Sequence, residues 1–423
     1  MRYYLFISIS FLFFDLYSQA PGCPDIDLGS DVVLPCTTSC TTLNASVLEV
    51  GITNTYTVSS VPYTPPYSFT QGTPILVNID DVWSSLISLP FNFCFFGNTY
   101  NSIVVGANGV ISFDASLAST PGCNFMTCSE CQWQFNNNIP NMNGMPYRNS
   151  INGAYHDMDP SAGGSIKYAI LGTYPCRTFV VNYSNVPHFD NWLSSQNCNL
   201  LTTTQQIVLY ETTNVIEVYI QDKPTCNSWN NGNAVIGIQN ILGTVGFVPP
   251  GRNTNPSTWT ASNEAWRFTP NGSPIYSVDW YEDGVLLGSG MSITVCPTSH
   301  SVDYDAVVTY TRCDGSTITE NDTVNVSKNH LPANTYTTSI SICDGDSIFL
   351  QNAWQTQADI YVDTFITLNC DSIVETNLTI NSASSSTDSV VTCGSYTWID
   401  GNTYSVSNNT ATYTLTNSSG CDS

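Results

Sequence analysis

The densest cluster of polar side chains in the sequence is the segment Tyr155–Pro160, which contains His156, Asp157 and Asp159. If this segment is extended, the two aspartates point to the same side of a strand, about 7 Å apart. Carboxylate oxygens are preferred ligands of Ca²⁺, which takes about 6–8 oxygens in proteins. Asp157 and Asp159 are therefore candidate calcium ligands, provided that backbone carbonyls and another acidic side chain complete the coordination shell.

A turn accounts for the same residues without a bound ion. Aspartates at the end of a strand commonly accept hydrogen bonds from the following turn, and Pro160 and Gly163-Gly164 are typical turn residues. This structural role is the more ordinary explanation of the cluster, and calcium binding is the alternative. Catalysis by the cluster has the least support.

Catalysis would require a partner group near Asp157, and the sequence indicates none. A glycosidase holds two carboxylates about 5–5.5 Å or about 6.5–9.5 Å apart, and the candidate partners are Glu211, Glu217 and Glu264. Alternation places Glu217 on the outward face of a strand, and Glu264 is expected to pair with Arg267. The motif G-x-S-x-G is absent, and no two histidines have the spacing H-x-x-x-H. We expect no catalytic residues and no enzyme activity.

The charge balance excludes one class of partner. The chain has 423 residues, with 9 Lys and Arg against 33 Asp and Glu, which gives a net charge of -24. Binding to nucleic acid requires clustered basic side chains that neutralise phosphates, and this sequence has no such cluster. Anionic membrane surfaces are disfavoured for the same reason. A polysaccharide or a cell-surface protein is the expected class of partner.

Residues 1–18 are predicted to be a secretory signal peptide. Arg2 provides the positive charge, Tyr3–Phe14 is an apolar run of twelve residues, and Ser18 is a small residue suited to cleavage. The run is shorter than the roughly 20 apolar residues that span a bilayer, and no second apolar segment reaches that length. We therefore expect a secreted or outer-surface protein with no transmembrane segment in this chain.

Alternating apolar residues predict an all-β fold. Ser102–Phe113 is expected to be a hairpin with a type I′ turn at Asn108-Gly109, and residues 205–221 a second hairpin around Thr212-Thr213-Asn214. Further elements are expected as strands at Phe91–Phe96, Ser165–Ile170, Thr178–Tyr183 and Ala234–Gln239, and as one short helix at Asp81–Ser88. We assign residues 19–270 to one large N-terminal β-sandwich domain.

Sixteen cysteines follow the signal segment, and an even number of cysteines in an exported chain indicates disulfides. Cys128 and Cys131, with Cys123 just before them, are expected to form structural disulfides, although a zinc knuckle or a redox pair has similar spacing. Cys296 and Cys313 are expected to close a loop within a second module.

That second module is an immunoglobulin-like β-sandwich predicted at residues 273–328. It follows a break at Pro270–Pro274, and its alternating apolar residues are separated by two Asp-Gly turns. In a true immunoglobulin domain cysteines flank the tryptophan, whereas Cys296 and Cys313 both follow Trp280. The prediction is therefore limited to the architecture.

Two short repeats are predicted at residues 332–380 and 385–423. Their cysteines have matching separations of 27 and 28 residues, and both repeats contain the tripeptide Cys-Asp-Ser; the cysteines are Cys343, Cys370, Cys393 and Cys421. We expect disulfide-clipped β repeats. The second copy ends without the closing strand of the first, which indicates that the sequence is part of a longer protein.

Long strings of the mature chain resemble a family of large multidomain surface proteins of Bacteroidetes bacteria, of the type IX secretion and gliding-motility-associated kind. The strings are Gly153–Tyr168, Pro175–Phe189, Gln205–Pro224, Ala234–Asn240, Asn263–Pro270, Trp280–Gly290 and Cys393–Ser423. The resemblance implies export by that system and a terminal sorting domain, which this sequence does not contain.

A second string, FGNTYNSIVVGANGVISF followed by HDMDP, is similar to nidogen-like extracellular modules. This similarity implies a β-sandwich used in adhesion and transfers no catalytic residue. We therefore expect a non-enzymatic, adhesin-like or structural surface protein. The alternatives are an extracellular hydrolase of glycans or peptides with immunoglobulin-like accessory modules, and a structural module without a ligand of its own.

Overall fold

The structure is a computed structural model that describes residues 22–35, 38–120, 138–142, 147–190, 197–253, 258–329, 334–365 and 371–422. The predicted signal peptide and four cysteines named above lie outside these residues: Cys123, Cys128, Cys131 and Cys370. The described residues form strands joined by turns and short 3₁₀ segments, which confirms the all-β prediction. They divide into two compact units. The predicted domain boundaries stay predictions.

Unit 1 consists of the described residues within Met1–Gly29, Asn44–Ser292 and Asp305–Thr323. One of its sheets has the order β16 (Gly246–Phe247), β15 (Val235–Gln239), β10 (Ser150–Tyr155), β9 (Val110–Ser112), β8 (Asn98–Val105) and β7 (Ile87–Phe95). The other has the order β5 (Tyr56–Ser60), β17 (Ala261–Pro270), β14 (Ile216–Lys223), β13 (Thr202–Tyr210), β12 (Thr178–Pro187), β11 (Ser165–Leu171) and β6 (Thr73–Pro74). A short pair, β1 (Ile26–Asp27) with β4 (Ser46–Val47), also lies in this unit.

The two large sheets share one apolar core, as expected for a sandwich. Side chains alternate along a strand, so Ile207 and Leu209 of β13 face the core together with Ile216 and Val218 of β14. Burial of such side chains stabilises a fold by about 25 cal/mol per Å² of apolar surface. The alternation of apolar residues that predicted these strands is therefore the alternation that fills the core.

Polar side chains also cross the interior and hold the turn between β8 and β9. The Tyr183 hydroxyl donates to the carbonyl oxygens of Gly106 and Val110, at 2.8 and 3.1 Å. The side chain of Gln205 lies against Gly109, where a Cβ would stand 2.3 Å from the amide nitrogen of the glutamine. Gly109 also has a φ of +82°, so this position requires glycine for two reasons.

Both predicted hairpins are present, with one difference at the first turn. β8 pairs with β9 and β13 with β14, each antiparallel. Only Gly109 of the Asn108-Gly109 pair has a positive φ, so the type I′ prediction is wrong. The side chain of Asn108 is engaged in tertiary hydrogen bonds instead, and these fix its conformation.

The helix predicted at Asp81–Ser88 is also wrong. Asp81 has a φ of +55°, and Ser84 N donates to the carbonyl oxygen of Val105 at 2.8 Å, so the segment lies along β8. Trp83 is buried in a second apolar cluster with Val104. Pairing with a neighbouring strand and burial of the indole outweigh the local helical spacing of the apolar residues.

A third sheet covers the segment predicted to be immunoglobulin-like. Its order is β19 (Val285–Ser289), β18 (Tyr276–Glu282), β21 (Ser301–Thr311), β22 (Thr317–Lys328) and β2 (Val32–Leu34). Trp280 is fully buried, and Asp283 and Gly284 have positive φ, as the predicted hairpin turn requires. Two strands from near the N-terminus also take part in pairing. β2 pairs with β22 in this sheet, and β3 (Thr41–Asn44) pairs with β20 (Ser292–Val295) in a separate two-stranded sheet.

Unit 2 consists of the described residues within Ser30–Leu43, Ile293–Tyr304 and Val324–Ser423. Its C-terminal part contains a three-stranded sheet of order β23 (Asn334–Cys343), β27 (Ser372–Asn381) and β26 (Asp359–Phe365). The same part of the chain contains two small hairpins. β24 (Ile348–Leu350) pairs with β25 (Ala353–Gln355) between β23 and β26, and β28 (Tyr396–Thr397) pairs with β29 (Thr403–Tyr404) after β27. The first repeat is therefore richer in strands than the second.

The disulfides differ from the predicted pairing. Cys296 is bonded to Cys40, because β3 lies beside β20, and Cys313 is bonded to Cys94. The predicted Cys296–Cys313 loop is therefore wrong. Further bonds join Cys23 to Cys176 and Cys198 to Cys226.

The repeats are not each closed by their own disulfide. Cys343 of the first repeat is bonded to Cys421 of the second, and Cys393 is a free, exposed thiol. The prediction that Cys393 forms a disulfide is wrong. The partner is decided by which chain segments meet in space, and matching separations along the sequence do not contain that information.

The Cys94–Cys313 bond can be tested with the variant Cys313→Ser. Labelling of free thiols after denaturation should modify Cys94 and Cys393 in the variant, and Cys393 in the parent protein. The free energy of unfolding should fall by as much as about 5 kcal/mol, because a cross-link across 219 residues constrains the unfolded chain. The control Cys393→Ser should leave stability unchanged. Labelling of Cys296 in the Cys313→Ser variant would contradict the observed pairing.

Candidate functional site

Three carboxylates meet inside unit 1: those of Asp80, Asp81 and Asp157. Each offers an oxygen atom, and these atoms lie within 4.8 Å of one another. Asp80 and Asp81 lie in the segment between β6 and β7, and Asp157 follows β10. Asp81 and Asp157 are 7% and 6% exposed, so their charges are almost entirely removed from water.

Hydrogen bonds hold two of the three side chains in place. The side-chain amide of Asn108 donates to Asp81 Oδ1 at 2.7 Å, and Asn108 Oδ1 accepts from the backbone N–H of Met158, also at 2.7 Å. The indole N–H of Trp229 donates to Asp157 Oδ2 at 2.6 Å. The turn between β8 and β9 thus connects the acidic residues of two distant chain segments.

Other oxygens of the cluster have no hydrogen-bond donor among the described residues. They are Oδ1 of Asp80 and Oδ1 of Asp157, and both are buried. Burying an unsatisfied polar atom costs about 1–3 kcal/mol, and more when the group is charged. Such atoms are uncommon in folded proteins, and two of them here belong to one cluster.

Burial raises the pKa values of these carboxyl groups. The pKa of Asp80 is raised to about 8, first by burial and then by the charges of Asp81 and Asp159. The pKa of Asp81 is raised to about 6, chiefly by burial, although the hydrogen bond from Asn108 lowers it. The pKa of Asp157 is raised well above its usual range, also chiefly by burial. The side chains alone thus do not stabilise three negative charges at this position.

Asp159 has a different role from Asp157. Its Oδ1 accepts a hydrogen bond from the backbone N–H of Ser161 at 2.8 Å, and so caps the 3₁₀ segment Pro160–Ala162. The turn interpretation therefore describes Asp159. Asp157 joins the buried cluster instead, and the prediction of calcium binding by Asp157 and Asp159 stays a prediction.

Two histidines lie beside the cluster. The Nε2 atoms of His156 and His188 are 2.9 and 3.0 Å from the hydroxyl oxygen of Thr203, and the two ring centres are 4.3 Å apart. Burial lowers the pKa of His188 to about 3 and that of His156 well below its usual value. Both rings are therefore neutral at pH 7.

A small cavity adjoins these groups, lined among others by Asp157, His188, Lys223 and Trp229. Its volume is about 20 Å³, which is room for a single water molecule. A substrate does not fit into such a space. The cluster and its cavity can therefore hold a water molecule or a small ion.

The glutamates considered as catalytic partners are each paired with arginine. Glu217 is fully buried and accepts from Arg267 Nε at 2.6 Å, so the prediction that it is exposed is wrong. Glu264 is paired with Arg252 at 2.5 Å, so the predicted pair with Arg267 is also wrong.

The outer face of the seven-stranded sheet is covered, and this is the reason why Glu217 is buried. Asn182 on this face donates to the carbonyl oxygens of Ser68 and Gln71, both at 3.1 Å, and Gln206 donates to that of Tyr67 at 3.0 Å. The segment before β6 thus lies over the sheet. The hydroxyl groups of Tyr210 and Tyr219 donate to Glu217 at 2.5 and 2.7 Å.

Sequence reasoning missed Asp80, Asp81 and Asn108 as members of the cluster. One signal was present: two adjacent aspartates stand directly before the apolar pair Val82-Trp83, with no turn residue after them. Asn108 was identified only as a turn residue. Nothing local connects these positions with Asp157.

Fold and site together define a disulfide-braced extracellular β-sandwich with a buried acidic cluster. The profile of the NIDO-related family matches residues 54–276, which is more than half of the chain. The chain therefore belongs to the NIDO-related family, and the expected similarity to nidogen-like modules is confirmed. No curated protein matches the chain. Within the part of the chain that the structure describes, no helix is long and apolar enough to cross a bilayer.

Lys223 gives a prediction about pH and stability. Its ammonium nitrogen is buried, donates to the carbonyl oxygen of Trp259 at 2.8 Å, and has a pKa lowered by burial from 10.5 to about 7. Between these pH values the unfolded chain holds a proton that the folded chain lacks. Lys223 therefore contributes a rise in the free energy of unfolding with pH over this range, by up to about 1.4 kcal/mol per unit.

The variant Lys223→Met should lose this rise, because it has no group to titrate. Thr225 also donates to the Trp259 carbonyl, at 2.8 Å, so that oxygen stays satisfied. Urea unfolding of both proteins at pH 7 and pH 9 measures the effect. Lys167→Met is the control, because the hydrogen bond of that lysine is exposed. Parallel pH profiles of the parent and Lys223→Met proteins would contradict the prediction.

Proposed function

We propose that the chain is a non-enzymatic, adhesin-like extracellular module that binds a polysaccharide through unit 1. Membership of the NIDO-related family and five disulfides support an extracellular structural or adhesion-type role. The observation that carries the polysaccharide proposal is an open cleft of about 300 Å³ in the same unit. A volume of this size lies at the lower end of the range for ligand sites.

The cleft has the polar groups that a sugar chain requires. Its lining includes Phe91, Asn92, Asn101, Arg177, Arg312 and Asp314. Hydrogen bonds from Ser316 and Asn92 lower the pKa of Asp314 to about 2, so this carboxylate is ionised and accepts hydrogen bonds at neutral pH. Guanidinium groups donate, and amide groups do both. Sugar hydroxyls both donate and accept, so they complement this lining.

The arginines of the cleft are held in fixed positions. Arg177 donates to both carboxylate oxygens of Glu211, at 2.8 and 2.5 Å, and Arg312 lies 3.6 Å from the same carboxylate. Glu211 is fully buried, so its carboxylate holds the guanidinium groups of Arg177 and Arg312 from the interior side of the cleft. The two arginines balance the carboxylates of Glu211 and Asp314, so the cleft presents both charged donors and charged acceptors to a sugar chain.

An exposed aromatic ring stands beside Arg177. Tyr174 is 59% exposed, and the guanidinium carbon of Arg177 lies 5.8 Å from the centre of its ring. Exposed tyrosines present a flat apolar face to the apolar side of a sugar ring. Trp83 and Trp259 are buried, so Tyr174 is the better candidate.

The absence of enzyme activity is part of this proposal. The acidic cluster with its histidines adjoins a cavity with room for a single water molecule, and the three candidate glutamates are paired with arginines. Incubation of the full chain with diverse glycans and peptides should give no new reducing ends or amines. Turnover that Asp157→Asn abolishes would favour the hydrolase alternative and overturn this part of the proposal.

The binding proposal is tested with Asn101→Trp on a glycan array, followed by titration of the best ligand. Asn101 is an exposed residue of β8, so a tryptophan there obstructs the cleft without entering the core. We expect affinity to fall by about tenfold or more, which corresponds to about 1.4 kcal/mol. Tyr174→Ala should also weaken binding.

The matched control is Asn377→Trp, which replaces an exposed asparagine of strand β27 in unit 2. It should bind as the parent protein does. If the parent protein binds no glycan, or if Asn101→Trp and Asn377→Trp behave alike, the cleft is not a polysaccharide site, and a structural module without its own ligand becomes the better explanation.

We further propose that the chain is part of a Bacteroidetes surface protein exported by the type IX system, as its resemblance to such proteins implies. A deletion of that system in the source organism should retain the protein in the periplasm, which cell fractionation and an antibody against unit 1 measure. Unchanged appearance at the cell surface or in the medium would contradict this route.

A further inference from the structure

The aspartate cluster has the geometry of a cation site. A Ca²⁺ ion binds oxygens at about 2.3–2.6 Å, so two ligands on opposite sides of the ion stand about 5 Å apart. The three carboxylate oxygens of Asp80, Asp81 and Asp157 lie within 4.8 Å of one another, which agrees with this spacing. One ion can therefore contact an oxygen from each side chain.

A second observation, independent of the acidic composition, also indicates a ligand. Asp157 is 6% exposed, and its Oδ1 has no hydrogen-bond partner, although Trp229 binds the other oxygen of the same carboxylate. Oδ1 of Asp80 is also buried and has no hydrogen-bond partner among the described residues. No hydrogen-bond donor among the described residues reaches either Oδ1 atom, and a bound cation would satisfy both.

The donor set selects the kind of ion. The cluster offers carboxylate oxygens and contains no thiolate, and the nearby histidines direct their Nε2 atoms to Thr203. Hard oxygen donors favour Ca²⁺ or Mg²⁺ over zinc and copper. Mg²⁺ requires nearly ideal octahedral geometry with shorter bonds, whereas Ca²⁺ accepts irregular shells and backbone oxygens.

We propose that Asp80, Asp81 and Asp157 bind a Ca²⁺ ion that joins the segment before β7 to the end of β10. Asn108 and Trp229 position two of the ligands through their hydrogen bonds to Asp81 and Asp157. The ion neutralises a group of like charges that no lysine or arginine pairs with among the described residues. This site is separate from the proposed polysaccharide cleft and does not depend on it.

The experiment compares thermal unfolding of the full chain in Ca²⁺ and in EDTA, at 0.15 M salt to screen diffuse binding to the acidic surface. Ca²⁺ should raise the Tm by about 5 °C or more, because it binds the folded state alone. Tb³⁺ should replace Ca²⁺ and emit when tryptophan is excited, since Trp229 contacts a ligand. Titration should give one tight site.

The variants Asp80→Asn and Asp157→Asn should each lose the Ca²⁺ shift and weaken Tb³⁺ binding by about 100-fold. Each variant also replaces a carboxyl group of a crowded, buried acidic cluster with a neutral amide, so in EDTA Asp80→Asn should melt at or above the temperature of the parent protein. This combination separates a lost ion site from a fold that has failed.

Asp114→Asn is the control, because Asp114 caps a 3₁₀ segment through a backbone N–H two residues later, and it should keep the full Ca²⁺ shift. Asp159 caps a 3₁₀ segment in the same way, but its charge also acts on the three carboxylates, so Asp159→Asn should keep most of the shift. The proposal is overturned if Ca²⁺ fails to stabilise the parent protein, if Asp80→Asn and Asp157→Asn respond as the parent does, or if Mg²⁺ stabilises it equally. Loss of the shift in Asp159→Asn would overturn the assigned ligand set.

Discussion

The burial of carboxylates in a chain that has few cations is the constraint on which this structure depends. The sequence contains 33 acidic residues and 9 Lys and Arg residues, and the five arginines in the described residues all lie in ion pairs. Glu211, Glu217 and Glu264 are buried or half-buried because arginines neutralise them. Asp80, Asp81 and Asp157 have no such partner in the part of the chain that the structure describes, so their burial requires protons or a bound cation.

The same shortage of cations decides what stabilises the fold. Surface ion pairs contribute at most about 1 kcal/mol each, and they are few here. Apolar burial between the two large sheets and the disulfides must therefore supply most of the stability. The five disulfides of the described residues each close a loop within one unit, over separations of 28 to 256 residues. Long loops of this kind restrict the unfolded chain most.

Unit 1 combines two polar regions of opposite character. The acidic cluster is buried and adjoins space for one water molecule, so it is suited to a small ion and not to an organic substrate. The cleft with Arg177 and Arg312 is open and about 300 Å³ in volume, so it is suited to a larger polar ligand. The proposed ion inside and the proposed recognition surface outside would suit an adhesion-type member of the NIDO-related family.

The sequence by itself determined the two long hairpins, the Asp283-Gly284 turn and one member of the acidic cluster. Alternation along β13 and β14 and glycine in the turns are local patterns, and burial of one sheet face enforces them. Asp157 was recognised because its neighbours are polar. The tertiary structure alone decided the disulfide partners of Cys296 and Cys313, the burial of Glu217, and the meeting of Asp80 and Asp81 with Asp157. These features depend on which distant segments pack together, and a periodicity of two residues carries no information about distant contacts.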